Sequence, residues 1–266
     1  MRYAFMTFST PELSLAEVLA AARRCGYEGI EPRLDAGHAH GIEATASAAQ
    51  RRELRQQVAD SGVTLACLAT SLVYADPAKT ADMLEQGRQR IDLAGDLGAP
   101  ALRVFGGKMG EGLTREQAID VVAGSLRQLA DQAVARGVTL CMETHDDWCD
   151  PAHVAAVMTR ADHPAVAVNW DIMHPVRTGK ATMDQAFTAL RPWIRHLHLH
   201  DGVGTQLKMV PIGRGEIDHR RALELLAPTG YGGFLSGEWI NWEPYETHLP
   251  RELAAMRGYE RELGLT

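Results

Sequence analysis

Short apolar runs alternate with longer amphipathic stretches along the whole chain. Residues 3–8 (YAFMTF) form the first run and precede a helical pattern over 14–25. The same pairing recurs seven times: 29–33 with a helix over 46–60, 64–69 with 79–97, 101–107 with 114–136, and 139–144 with a helix opened by Asp150-Pro151. It continues through 166–171 with 182–190, 194–201 with 218–226, and 233–239 with a last helix over 249–263. Local punctuation agrees with these limits. Thr114 followed by Glu116 and Gln117 reads as an N-cap with a capping box, Gly137 as a C-cap, and Asp150-Pro151 as a cap followed by a first-turn proline.

Strands alternating with helices imply parallel β-α units joined by right-handed crossovers. Eight units in 266 residues predict an α/β fold closed into one (β/α)8 barrel, with residues 1–266 as a single domain. The rival, an open doubly wound sheet, is expected to carry a glycine-rich turn after its first strand. Here that turn is TFSTPELS, without a glycine.

Composition narrows the function. Apolar residues make up 45 % and charged residues 23 %, which is globular usage and excludes a disordered or fibrous chain. With 27 Lys and Arg against 34 Asp and Glu, the net charge of −7 argues against a nucleic-acid partner, since phosphate neutralisation needs a basic surface. Cys25, Cys67, Cys141 and Cys149 form no C-x-x-C pair and read as mostly buried thiols of a reducing compartment. The N-terminus resembles neither a signal peptide nor a membrane span. A cytoplasmic protein without a membrane partner is expected.

In a closed barrel the chemistry collects where strands end. The fifth strand ends at Glu143, the sixth at Asp171 and the eighth at Glu238, while the seventh carries His196, His198 and His200 on one face. Glu143, Asp171 and the histidines are each about one β-α unit apart, and Glu238 follows after a longer loop. Each acid alone could be a helix cap or a surface ion pair. Together they predict a metal site, because three crowded carboxylates repel and a divalent cation resolves the repulsion. Oxygen ligands with one imidazole suit Mn²⁺, Mg²⁺, Co²⁺ or Zn²⁺. Alternation leaves the choice among the three histidines open, with His196 the deepest.

These motifs resemble the xylose-isomerase-like TIM-barrel superfamily: Glu143 in E-T-H, Asp171 and His174 in D-x-x-H, His198 in H-x-x-D and Glu238 in G-x-x-x-x-G-E. The resemblance covers essentially the whole chain. It implies one divalent metal ion held by Glu143, Asp171, His198 and Glu238, with Glu143 and Glu238 also the catalytic acid–base pair. It further implies a substrate-holding role for His174. Possible homo-oligomers follow from the same resemblance.

The expected chemistry is proton transfer next to a carbonyl through a metal-stabilised enediolate, in an isomerase or epimerase of a sugar or related hydroxy-carbonyl compound. A metal-dependent dehydratase of the inosose or dehydroshikimate type is the alternative, since the same enediolate can expel a β-hydroxyl. His145, sharing the strand parity of Glu143, could face substrate or support the site from behind. Arg103, on a barrel strand, must be paired or open to the pocket. Arg177 and Lys208 are candidates for an anionic substrate group, as is Arg214, and each could instead be a solvated charge. Trp148 and Trp170 could wall a sugar or simply pack. The loop GGKMGEG lacks the phosphate-loop pattern and reads as flexible.

Ketose 3-epimerases of the superfamily carry an arginine six residues after the ligand histidine and an acid six residues after the first glutamate. This chain has Gly204 and Cys149 there, which points away from a free ketose. An endonuclease IV-like three-zinc cluster needs a histidine after the third strand, and LATSLVYADP offers none. A sugar-binding barrel without catalysis remains the reading from a different class.

Overall fold

The computed structural model describes residues 1–204 and 208–265. Nine strand segments and a ring of helices form the barrel, beginning with β1 (Arg2–Met6), α1 (Leu15–Cys25), β2 (Gly29–Glu31) and α2 (Ala48–Ser61). Then come β3 (Thr64–Leu65), β4 (Leu68–Val73), α3 (Thr80–Leu97), β5 (Ala101–Phe105), α4 (Arg115–Arg136), β6 (Thr139–Glu143) and α5 (Pro151–Ala161). The chain continues with β7 (Val166–Asp171), α6 (Met173–Arg177), α7 (Met183–Leu190) and β8 (Ile194–Leu199). A hairpin of β9 (Asp201–Val203) and β10 (Lys208–Val210) precedes α8 (His219–Leu226), β11 (Phe234–Gly237) and α9 (Tyr245–Glu262).

The strand order is β3-β2-β1-β11-β8-β7-β6-β5-β4, with every neighbouring pair parallel. The two terminal segments are successive pieces of one barrel strand. β3 pairs with β2 and β4 pairs with β5. Between them the Ala66 and Ala69 amides donate to the Ile30 and Pro32 carbonyls at 2.9 Å, and Arg33 bridges Ala69 in parallel. The cylinder therefore closes with eight strands, as the alternation predicts.

Helix starts follow the sequence signals. Ser14/Glu17, Ser47/Gln50, Thr114/Gln117 and Thr182/Gln185 each form a reciprocal capping box, satisfying amides that the first turn leaves unpaired. Gly137 ends α4 at φ +69°, a left-handed conformation that costs glycine little. Three elements depart from the expectation. β1 stops at Met6 in a 3-10 turn over Thr7–Ser9. α9 starts at Tyr245, one turn before the expected 249, and passes through Pro250. The loop expected after the seventh strand contains the β9–β10 hairpin, and its residues 205–207 lie outside the described residues.

Outward side chains such as Phe5, Leu102, Met142 and Val168 pack against the helices in the main core, with Phe5 edge-on to Tyr27 at 5.2 Å. The barrel floor is filled by small groups, among them Ala66, Cys67, Ala101, Cys141 and Ala167. Above them the interior turns polar: Glu31, Arg103, Asn169, His196 and His198 are all buried. Among the described residues no helix is long and apolar enough to cross a membrane.

Candidate metal centre and active site

Four elements deliver one donor group each. Glu143 closes β6, Asp171 closes β7, His198 lies one residue from the end of β8, and Glu238 directly follows β11. A ligand atom from each lies within 4.8 Å of the others, and all four residues are buried. His198 Nδ1 is the hub, 3.2 Å from Glu143 Oε1 and 3.2 Å from Glu238 Oε2. The Asn169 amide nitrogen also lies 3.1 Å from it.

The remaining contacts of each ligand fix its direction. Asp171 Oδ1 accepts the Met173 and His174 amides at 2.8 and 3.0 Å, while Oδ2 meets His200 Nε2 at 2.7 Å. Thr144 ties the Asp171 backbone through both its amide and its carbonyl, at 3.0 Å each. Arg103 Nε stands 3.2 Å from Glu143 Oε2, and Arg103 Nη1 donates to the Thr70 carbonyl at 2.9 Å. On the far side of His198, Nε2 lies 3.1 and 3.2 Å from the two oxygens of Glu31. His196 Nε2 meets the same carboxylate at 2.8 Å.

This crowding moves the titrations. Burial opposes ionisation of Glu238, but neighbouring His198 outweighs it and holds the carboxyl down at about 2. Burial also opposes charge on His198, yet Glu31, Glu143 and Glu238 together push it well above the ordinary imidazole range. At Asp171, likewise, the facing histidines overcome burial and lower the pKa. Four buried carboxylates thus stand against one arginine and the histidines. Positive charge is wanted at the point they share.

A divalent ion fits there. Oxygens of Glu143, Asp171 and Glu238 converge with His198 Nδ1 within 4.8 Å, and three carboxylates with one imidazole nitrogen make a hard O/N donor set suited to Mn²⁺, Mg²⁺, Co²⁺ or Zn²⁺.

The other sequence candidates occupy distinct places. His174, on α6, is buried with Nε2 3.9 Å from Asp171 Oδ2, and its ring meets that of His145 edge-on at 4.4 Å. His145 is half-buried, 3.0 Å from Asp146 Oδ1 and 5.0 Å between ring centres from Phe105. Burial pushes His145 down, but Asp146 and Glu143 outweigh it and raise its pKa to about 9. Arg103 lies beneath Glu143 with its guanidinium 4.0 Å from the Phe105 ring centre. Arg177 is half-buried at the end of α6, with Cys149 within its electrostatic reach. Lys208 is exposed at the start of β10, and Arg214 is exposed in the following turn.

Trp148 and Trp170 are fully buried in the packing layer. Trp148 Nε1 donates to the Gly107 carbonyl at 2.9 Å and Trp170 packs on Phe187, so neither walls a sugar. The GGKMGEG loop is tied down by the Tyr74 and Ala75 amides on Gly106 and by the Met109 amide on Asp147. Sequence reasoning passed over Glu31, Asn169 and Thr144. Applying the strand-end rule to β2 as well as to β6, β7 and β11 singles out Glu31.

Acids and an imidazole at successive strand ends of a closed cylinder define a barrel with a metal-type site at its mouth. The chain belongs to the xylose isomerase-like TIM-barrel family, whose model matches residues 19–259. It is 28 % identical over 219 residues to the 2-epi-5-epi-valiolone 7-phosphate 2-epimerase of Actinoplanes sp., covering 79 % of this chain and 77 % of that one. It is 26 % identical over 236 residues to the L-ribulose-5-phosphate 3-epimerase of Salmonella paratyphi B, covering 84 % and 81 %. In fold it resembles the probable 3-DHS dehydratase AsbF of Bacillus anthracis, with a TM-score of 0.81 at 21 % identity, covering 97 % and 99 %.

Proposed function

We propose that this protein is a divalent-metal-dependent epimerase or isomerase acting on a sugar or sugar-derived hydroxy-carbonyl compound. One observation carries the reading: Glu143 and Glu238, from strands separated by β7 and β8, both reach 3.2 Å from His198 Nδ1. Glu143, Asp171, His198 and Glu238 would hold the ion. Bound there, it supplies positive charge beside a substrate carbonyl and so acidifies the neighbouring C–H.

The chain's own groups do the rest. Glu143 and Glu238 act as the two ends of a proton transfer, one removing the proton from carbon and the other returning it to the opposite face. Arg103 holds Glu143 from below. His174 and His145, packed edge to face, donate hydrogen bonds to substrate oxygens. Arg177 and Lys208 would receive an anionic substituent of the substrate. Phosphorylated substrates of both curated relatives, together with Gly204 and Cys149 in place of the free-ketose residues, favour a phosphate or another anionic group there.

The test is incubation of Mn²⁺-loaded protein in D₂O with a panel of ketoses, ketose phosphates and keto-inositols, followed by NMR. Deuterium at a single carbon with inversion or carbonyl migration is expected. A product lighter by one water, with new ultraviolet absorbance, would replace the epimerase with a dehydratase. Tight sugar binding by metal-stripped protein without any exchange would replace both with a binding protein.

A further inference from the structure

Glu31 is a carboxylate at the end of a three-residue strand, 0 % exposed, on the opposite side of the barrel interior from β6 and β7. No arginine or lysine is paired with it among the described residues. Its partners are two histidines of β8, which alternation places on the same inward face. His196 Nε2 lies 2.8 Å from Oε2, and His198 Nε2 lies 3.1 Å from Oε1 and 3.2 Å from Oε2. Burying a carboxylate on two neutral-capable rings is costly, and the fold keeps it directly behind the hub of the proposed metal centre.

An ionised carboxylate only accepts hydrogen bonds. Both rings must therefore present N–H at Nε2 to Glu31. For His198 that leaves Nδ1 as the nitrogen that can exchange a proton for a cation, the atom that points toward Glu143, Glu238 and the common centre of the four donors. The Asn169 side-chain amide packs on the same nitrogen at 3.1 Å. In a metal-bound, neutral ring ligating through Nε2 instead, that nitrogen would have to turn away from Glu31 and leave the buried carboxylate without its partner. Glu31, His196 and His198 could also be read as three ligands of a second ion, but the 2.8 Å contact between His196 and Glu31 is a hydrogen bond already made.

We propose that Glu31 is the positioning residue of the metal centre: through His198 Nε2–H it selects the tautomer and ring orientation that turn Nδ1 to the cation, and it uses His196 as a second anchor. The proposal rests on the metal reading above. A carboxylate behind a ligand histidine orients it and raises its basicity, and loss of such a partner typically weakens metal binding about 10–100-fold.

The experiment is calorimetric titration of Mn²⁺ into metal-stripped wild type, Glu31→Ala and Glu31→Gln, with circular dichroism to establish folding. Alongside it, two-bond ¹H–¹⁵N spectra of the Zn²⁺-loaded proteins read the His198 tautomer. Glu31→Ala is expected to weaken Mn²⁺ binding about 10–100-fold and to lose the pure Nε2–H signature. Glu31→Gln should lose less, because its amide oxygen still accepts from His198 while its N–H₂ cannot accept from His196. Folded Glu31→Ala with wild-type Mn²⁺ affinity and an unchanged tautomer overturns the proposal alone. Wild type that takes up no Mn²⁺ overturns it together with the metal reading. Should Glu31→Ala not fold, the near-isosteric Glu31→Met, which offers no oxygen to His198, decides: wild-type affinity with an unchanged tautomer in that variant overturns the assignment.

Discussion

Arg103 Nε stands 3.2 Å from Glu143 Oε2, with both side chains 1 % exposed. The guanidinium is held from the other side by the Thr70 carbonyl, while Thr70 Oγ1 donates back to the Arg103 carbonyl at 2.8 Å. One oxygen of Glu143 is thereby committed to Arg103, and Oε1 is left facing His198 Nδ1. Removing one member of a buried pair strands the other charge, at a cost of about 3–5 kcal/mol. Arg103→Leu should destabilise metal-free protein by that order in urea unfolding. Arg103→Leu/Glu143→Gln should lose less than the two single variants together, since no charge is left stranded. Strictly additive losses would show that the two groups act independently.

Asp201 is the acid that follows β8, and its contacts separate it from the metal ligands. Its carboxylate accepts the amides of Gly202 and Gly213 at 2.9 Å, Gly215 at 3.0 Å and Ile217 at 3.2 Å. It pins the segment around the β9–β10 hairpin, and a Cβ at Gly215 would sit 2.1 Å from Oδ1. Asp201→Asn should lower the melting temperature, with a loss of about 1–3 kcal/mol, and leave Mn²⁺ affinity unchanged. Asp171→Asn should abolish Mn²⁺ binding. Calorimetry on the two variants checks both, and a reversed pattern would move the ligand to Asp201.

The contrast between these residues shows what was legible in the sequence. Strand ends could be placed because apolar runs stop at Glu143 and Asp171, and helix starts because capping boxes are local. Glu31 was hidden because GIE is too short to display a period. His196, His198 and His200 share one face, so alternation cannot rank them. Only the groups facing them do, with Glu31 meeting His196 and His198, and Asp171 meeting His200. The break between β3 and β4 was equally invisible, because TLACLA is a continuous apolar run whose pairing partner changes midway from β2 to β5. The hairpin depends on Asp201 contacts made across many residues.

Removing the metal tests the charge balance directly. Without an ion the charge of the three donor carboxylates is opposed chiefly by His198, His200, His174 and Arg103. With Mn²⁺ at a hundred times its dissociation constant, binding to the folded state alone adds about 2.7 kcal/mol. A chelator-treated sample should therefore melt at lower temperature and show no solvent-proton exchange into substrate, and Mn²⁺ should restore both. A melting temperature indifferent to Mn²⁺ over a wide titration would argue that no ion belongs at this centre.

His40 sets a separate dependence on pH, away from the four ligands. It is buried, its Nδ1 accepts the Ile42 amide at 3.0 Å, and its Nε2–H donates to the Arg33 carbonyl at 3.3 Å. Those contacts require a neutral ring. Burial, and next His38, push its pKa down to about 4 against the opposing bond to Arg33. An unfolded histidine titrates near 6.5. Between those two values the unfolded chain binds more protons than the folded one, so stability falls as pH falls, by up to about 1.4 kcal/mol per unit. His40→Gln lacks this titration, and histidines common to both proteins cancel in the comparison. The stability advantage of wild type over His40→Gln, from urea unfolding, should be constant above pH 7 and shrink by about 2–3 kcal/mol on going to pH 4.5. A difference that stays flat across that window would mean that His40 is charged in the fold or equally free in both states.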